Sequence, residues 1–379
     1  MTDEISVLIV DDSALMRNLI GRMIEDTPGL VVAEKAMNGV FALQKIPRVN
    51  PDIIVLDLEM PEMNGIEFLK ERKKRGIDIP VVILSSIAAR GAVITMEALS
   101  LGASDFIQKP SGSISEDIHT VKDTLMGMLF GYGGAYRRSQ GKKVLHPSEY
   151  PHKPEHHAPT DILTHLKLTS TPPASPAQPP SQLRRPGKTE LIAIGISTGG
   201  PDALRVVFSK LDKNLTVPIL VVQHMPAGFT NEFAKSLDRL CPLDVKEAEE
   251  GDAVEPGRIL IAQGNKHLEV EKKASGTVVH LSDDPLVSGH RPSADVLFAS
   301  VALSYQNHSL GVIMTGMGRD GAQQLGTIYK EGGLTLGQDE ASAVVYGMPR
   351  VAYELGHVME QVSLEKMGPR ICEIAMTLR

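Results

Sequence analysis

The chain has 379 residues, 42% of them hydrophobic and 22% charged, an ordinary globular composition with length enough for two cores. A formal charge of -7 leaves no basic footprint and argues against nucleic acid as a main partner. Cys241 and Cys372 stand far apart without metal-ligand spacing, which argues against a disulfide framework and for a reducing compartment holding both as packed thiols. No apolar run approaches the roughly 18 residues that cross a bilayer, so a soluble, cytoplasmic protein without membrane insertion is expected.

From the N-terminus, short β-rich runs at 7–10, 30–33, 53–56, 81–84 and 105–107 alternate with helix-period stretches. That alternation predicts a doubly wound, flavodoxin-like α/β domain with five parallel strands over 1–132. Asp11 and Asp12 end the first run, Asp57 the third, Ser85 the fourth, and Lys109 follows the fifth. In a parallel sheet all of them gather at the carboxyl edge, where three carboxylates need a compensating cation such as Mg²⁺. Strand-end aspartates also cap helices, and a Lys before Pro is common in loops. Their joint occurrence at four strand ends points instead to phosphoryl transfer with Asp57 as the accepting nucleophile.

The segments Val10-Asp11-Asp12-Ser13 and Leu56-Asp57-Leu58-Glu59-Met60-Pro61, with Ser85 and Lys109-Pro110, resemble a two-component response-regulator receiver. The resemblance implies phosphorylation of Asp57 by a histidine kinase. It also implies Mg²⁺ held by Asp11, Asp12, Asp57 and the Glu59 carbonyl, and a switch in which Ser85 and Phe106 respond together beside Lys109. Phe106 reads equally as plain core.

Between 133 and 187 the composition shifts: ten of the 25 prolines and five of the 12 histidines fall among Ser, Thr, Gln and Ala. Such a stretch buries too little apolar surface to offset its ordering entropy and reads as a flexible linker, with a short helix near 161–168. His146, His152, His156, His157 and His165 invite a metal reading, but nothing rigid gathers them, so solvated linker histidines are expected.

From 188 to 379 the βα pattern resumes, with apolar runs at 191–196, 219–222, 258–262, 310–314 and 334–336. An edge hairpin is expected between 257–262 and 267–270 around Gln263-Gly264-Asn265. A second α/β domain, mainly parallel with an antiparallel edge, is the expectation. In Gly195-Ile196-Ser197-Thr198-Gly199-Gly200-Pro201 a serine stands between strand and helix, beside amides that favour negative charge. The stretch lacks a P-loop lysine and the dinucleotide spacing. His224 follows the second run and Asp320 the fourth. Three strand ends thus deliver the parts of a hydrolytic triad in which Ser197 attacks, His224 carries the proton and Asp320 orients the imidazole. Taken singly, His224 reads as a satisfied histidine and Asp320 as the N-cap of a helix from 321.

These segments, with Gly289-His290-Arg291-Pro292-Ser293-Ala294-Asp295-Val296-Leu297-Phe298, resemble the catalytic domain of the chemotaxis protein-glutamate methylesterase family. The receiver, linker and hydrolase order matches end to end. The resemblance implies that Ser197, His224 and Asp320 form the triad, that the Met317 amide helps form an oxyanion hole and that Thr198 supports the hydrogen-bond network. It implies removal of methyl groups from glutamates of membrane chemoreceptors, deamidation of selected glutamines, and no cofactor for the hydrolase. Arg319 stands where a small polar residue is common and would attract an acidic receptor surface; His290 and Arg291 either line the mouth or serve structural pairing. A tethered receiver is expected to pack over that mouth until phosphorylation releases it. The competing expectation is a receiver-regulated binding module or phosphate sink without esterase activity.

Overall fold

The computed structural model describes residues 3–85, 89–109, 117–144, 185–274 and 276–377. The five linker histidines and the helix expected at 161–168 lie outside them.

In the first domain β1 (Ile5–Val10), β2 (Leu30–Ala36), β3 (Ile53–Asp57), β4 (Val81–Ser85) and β5 (Asp105–Gln108) lie in the order β2-β1-β3-β4-β5, every neighbouring pair parallel. The pleat divides the hydrophobic runs between two cores. Leu8, Val10, Ile54 and Leu56 pack with Phe68 and Leu69, while Val7, Ile9, Ile53 and Val55 pack with Ile20, Ile24 and Leu125 on the other face. The flanking helices are α1 (Ala14–Glu25), α2 (Gly39–Val49), α3 (Gly65–Lys74), α4 (Ala89–Ser100) and α5 (Asp117–Met128). The strand runs read from sequence are all present, and the domain is the doubly wound one they imply.

Where the composition shift begins, the chain stays helical: a π-helical turn (Leu129–Gly133) runs into α6 (Gly134–Ser139). Buried Asp52 holds this extension to the sheet, meeting Arg137 Nη1 at 2.9 Å and Lys142 Nζ at 3.0 Å. Burial alone would raise the Asp52 carboxyl, but Ser6, Arg137 and Lys142 hold it below the usual carboxylate value. Chain composition is blind to this anchor, because its partner lies 85 residues away.

The second domain begins with β6 (Leu191–Ile196), α7 (Gly200–Phe208), β7 (Ile219–Gln223), α8 (Thr230–Asp238), β8 (Asp244–Glu247) and β9 (Arg258–Ile261). A hairpin of β10 (His267–Lys273) and β11 (Gly276–Ser282) follows. Then come α9 (Ala294–Tyr305), β12 (Ser309–Ile313), α10 (Ala322–Lys330), β13 (Leu334–Gln338), α11 (Met348–Glu354), β14 (Glu360–Val362) and α12 (Leu364–Thr377). Seven strands form one parallel sheet, β14-β13-β12-β6-β7-β9-β8. The antiparallel hairpin is present but its strands differ from the expected pair. The run near 258–262 is buried and completes the parallel sheet, and His267–Lys273 pairs instead with Gly276–Ser282 as a separate two-stranded unit. The chain order reverses at β6, so the carboxyl ends of β6, β7 and β12 face one crevice at a topological switch point.

The domains pack against each other across that crevice. Phe106 stacks on Phe229, ring centroids 5.0 Å apart and 15° between planes. Arg205 Nη1 donates to Leu99 O at 2.6 Å, and Asp105 Oδ2 accepts from Gly199 N–H at 2.8 Å. A Cβ built on Gly131, in the π-helical turn, would stand 2.3 Å from Val344 O, so only glycine allows that approach. The thiols are packed as expected: Cys372 is buried and accepts from Asp212 N at 3.2 Å, and Cys241 is half-buried.

Candidate functional sites

At the carboxyl edge of the first sheet Asp11 and Asp57 are buried and Asp12 is exposed, with one oxygen of each carboxylate within 4.8 Å of the others. Lys109 Nζ reaches Asp57 Oδ2 at 2.6 Å and Asp11 Oδ2 at 3.2 Å. Burial raises the Asp57 carboxyl above its usual value; Lys109 opposes the shift and Asp11 adds to it. An all-oxygen set at this spacing fits a hard divalent cation such as Mg²⁺. The Glu59 backbone N–H donates to Asp57 Oδ1 at 3.3 Å. Ser85 Oγ lies 2.6 Å from Thr95 Oγ1 on α4, a partner that sequence reading missed. Phe106 is buried in the core cluster and is also the receiver's half of the aromatic stack between domains.

In the second domain the three strand ends converge. Ser197 follows β6, and the next turn requires Gly199 at φ 84° before α7 begins with Pro201 in its first turn. Gly316, beyond β12, is pressed against the Ser197 side chain: a Cβ there would lie 2.8 Å from Ser197 Cβ. Ser197 Oγ lies 3.0 Å from His224 Nδ1, and His224 Nε2 lies 2.8 Å from Asp320 Oδ2. A ring carrying its proton on Nε2 can donate to the carboxylate and accept a hydrogen bond from the serine hydroxyl at Nδ1. These nitrogens are used in the opposite sense to the serine-protease template.

Asp320 does not cap the helix that follows it, whose N-cap is Gly321. It sits at the amino end of α9 instead. Ser293 Oγ donates to Oδ1 at 2.6 Å, Ala294 N–H to Oδ2 at 2.6 Å and Asp295 N–H to Oδ1 at 3.2 Å. Burial pushes the carboxyl up, but His224, Ser293 and the Ala294 amide outweigh it, so Asp320 is held below its usual value and ionised. Ser293, absent from the expected set, was detectable only as the polar residue before an apolar helix.

The remaining candidates take distinct places. Thr198 O accepts from Thr315 Oγ1 at 2.8 Å, tying β6 to β12 through its backbone. Among the described residues the Thr198 and Met317 N–H groups donate to no protein acceptor. His290 stacks on His224, centroids 3.8 Å apart and 13° between planes, and burial lowers its pKa to about 4, with His224 adding to the shift. Arg291 turns away to bond Asp283 O, Asp284 O and Asn265 Oδ1. Arg319 is exposed. Over the serine lies a cavity of about 270 Å³, walled by Ser197, His224, His290 and Met317 on one side and by Phe106 and Gln108 of the receiver on the other.

An acidic phosphoacceptor-type pocket joined to a Ser–His–Asp hydrogen-bonded chain defines the class: a response regulator with a hydrolase-type output domain. The comparisons agree. Residues 7–120 match the response regulator receiver domain and residues 192–371 match CheB methylesterase. A protein-glutamate methylesterase/protein-glutamine glutaminase of Treponema denticola is 58% identical over 97% of this chain and 98% of its own length. The protein of that name from Treponema pallidum is 52% identical, over 98% and 97%. The crystal structure of the Thermotoga maritima CheB methylesterase catalytic domain is 36% identical, covers 49% of this chain and 98% of its own, with a TM-score of 0.48. The chain belongs to the CheB protein-glutamate methylesterase/protein-glutamine glutaminase family.

Proposed function

We propose that this protein is a phosphorylation-activated esterase that removes methyl groups from glutamate γ-methyl esters of methyl-accepting chemoreceptors, and deamidates selected glutamines, in the cytoplasm. The division proposed is a receiver over 1–132, continued by the helical extension that Arg137 and Lys142 hold to its sheet, a linker over the rest of 133–187 and a catalytic domain over 188–379. The observation carrying the reading is the unbroken hydrogen-bond chain from Ser197 through His224 to Asp320.

In that reading Ser197 Oγ attacks the ester carbonyl as its proton passes to His224 Nδ1. The Met317 and Thr198 N–H groups stabilise the tetrahedral oxyanion. Asp320 keeps the neutral ring in the Nε2–H form and offsets the charge of the imidazolium. As the intermediate collapses, the ring returns the proton to the departing methoxide and methanol leaves. A water, deprotonated by the same nitrogen, then attacks the acyl-enzyme; collapse frees the glutamate carboxylate and returns a proton to Ser197. A glutamine amide follows the same route with ammonia as leaving group.

Asp57 is read as the phosphoryl acceptor from a histidine kinase. Asp11, Asp12, Asp57 and the Glu59 carbonyl would hold Mg²⁺, which when bound supplies positive charge for the phosphoryl oxygens. Lys109 orients the carboxylate. Phosphorylation draws Ser85 from Thr95 and loosens the face bearing Phe106, uncovering the serine. The triad geometry and family membership favour this over an esterase-silent adaptor. The deciding experiment is methanol release from methylated receptor by Ser197→Ala, expected to fall by about 10⁴-fold or more; undiminished release would exclude Ser197 as nucleophile.

A further inference from the structure

His267 is wholly buried, and no step of the reaction above uses it. It opens β10, the first strand of the hairpin that stands outside the main sheet. Val270 on the same strand donates its N–H to Ser300 Oγ at 3.2 Å. The strand is thereby fastened along α9, and its first residue arrives at the amino end of that helix.

A buried imidazole needs a partner for each nitrogen. Here Ser293 N–H donates to Nδ1 at 3.2 Å, and Nε2 lies 3.1 Å from Pro285 O. An amide can only donate and a carbonyl can only accept, so the ring carries its proton on Nε2 and is an acceptor at Nδ1. Both neighbours are themselves held. Asn265, two residues before His267, donates its N–H to Arg291 O at 3.1 Å, and Arg291 bonds Asp283 O at 2.7 Å and Asp284 O at 3.0 Å.

A satisfied core histidine is ordinary, but what this one holds is not. Ser293 is the N-cap of α9, and its Oγ donates to Asp320 Oδ1 at 2.6 Å. Asp320 Oδ2 in turn meets His224 Nε2 at 2.8 Å. A serine free to turn away would leave Oδ1 with only the Asp295 N–H, at 3.2 Å, and the carboxylate free to rotate off the catalytic ring. His267 itself stands outside the walls of the serine cavity.

We infer that His267 is a positioning residue for the triad: by holding Ser293 through Nδ1 it fixes the hydroxyl that aims Asp320, and Pro285 O sets the tautomer this requires. Its effect on turnover rests on the esterase reading above; its effect on the carboxylate does not. The hairpin therefore has a part in the chemistry, because it delivers the ring that steadies the acid of the triad.

The test compares two variants of the full chain that each keep one arm of the ring. In His267→Asn the amide oxygen falls where Nδ1 lay and can still accept from Ser293 N–H. In His267→Gln the amide reaches the place of Nε2 and keeps only the bond to Pro285 O. With the protein treated with a small acyl phosphate and given a methylated chemoreceptor fragment, His267→Gln is expected to lower kcat by about tenfold with KM nearly unchanged. His267→Asn should retain most of the activity. In a Ser293→Ala background His267→Gln should cost little further. The downfield proton NMR resonance of the His224 ring N–H, read without substrate, should move in His267→Gln and stay in His267→Asn. Equal losses in the two variants, losses that add fully to that of Ser293→Ala, or a resonance unmoved in His267→Gln would overturn the positioning role. Undiminished methanol release by Ser197→Ala would overturn the esterase reading instead, and the resonance would still judge His267.

Discussion

Asp105 of the receiver accepts a hydrogen bond from the backbone N–H of Gly199, two residues past Ser197, at 2.8 Å. The carboxyl is buried, and burial pushes its pKa to about 7 although the Gly199 and Phe106 amides favour the charged form; Asp202 adds to the rise and Tyr132 Oη opposes it. Asp202 is itself raised by burial to about 6, with Arg205 opposing.

A pH dependence of docking follows. The pKa of Asp105 is raised in the packed state, so protonation favours packing. That contribution is complete below the ordinary carboxylate range and is lost as pH rises through about 7. Unphosphorylated full-length protein should gain esterase activity as pH rises through about 7. Asp105→Asn, which cannot ionise, should lose that part of the rise; superimposable profiles of the two proteins would contradict the linkage.

Gly131→Ala addresses the same joint sterically. A methyl group has nowhere to go with Val344 O at 2.3 Å, so the domains must part. Methanol release without phosphodonor is expected to rise about 5- to 30-fold, the factor that about 1–2 kcal/mol of lost docking gives, while denaturant unfolding of each domain stays close to wild type.

Ser293→Ala removes the 2.6 Å bond to Asp320 Oδ1 and leaves the amide contacts of Ala294 and Asp295. A hydrogen bond to a charged group contributes about 1.5–3 kcal/mol, so kcat should fall about tenfold or more with KM nearly unchanged. Asp320→Asn should cost far more, about 10⁴-fold, because it disturbs the tautomer. Steady-state kinetics of the two variants in parallel measures both.

The His290 ring is expected to act by position. His290→Phe keeps a flat partner 3.8 Å from His224 and should retain most activity, whereas His290→Ala should lower kcat by about two- to tenfold, the scale of an aromatic pair. Equal loss in both variants would mean that the imidazole nitrogens of His290 matter rather than its plane.

Most of the architecture was legible because both sheets are parallel and buried. Each inner strand is a continuous apolar run followed by a polar residue at its carboxyl end, and these ends carry Asp11, Asp57, Ser85, Ser197 and His224. The strands that escaped notice are β8 and β14, short edges such as Asp244–Glu247 whose burial is partial and whose composition is polar. The hairpin partner was missed because Gly276–Ser282 is half-exposed and carries no strict alternation. Ser293, Asp105 and Phe229 were out of reach for a different reason. Their roles arise from contacts with no local period: a helix end meeting a distant loop, and one domain's strand meeting another's helix.

Lys109 directly follows β5, and Asp105 and Phe106 open that strand. At about 3.3 Å per residue the phosphate pocket and the esterase mouth are separated by roughly 13 Å of a single extended segment. Under the proposed release on phosphorylation, a shift of Lys109 would reach the stacked ring of Phe106 and the carboxyl of Asp105 along that one segment, with no further element between them.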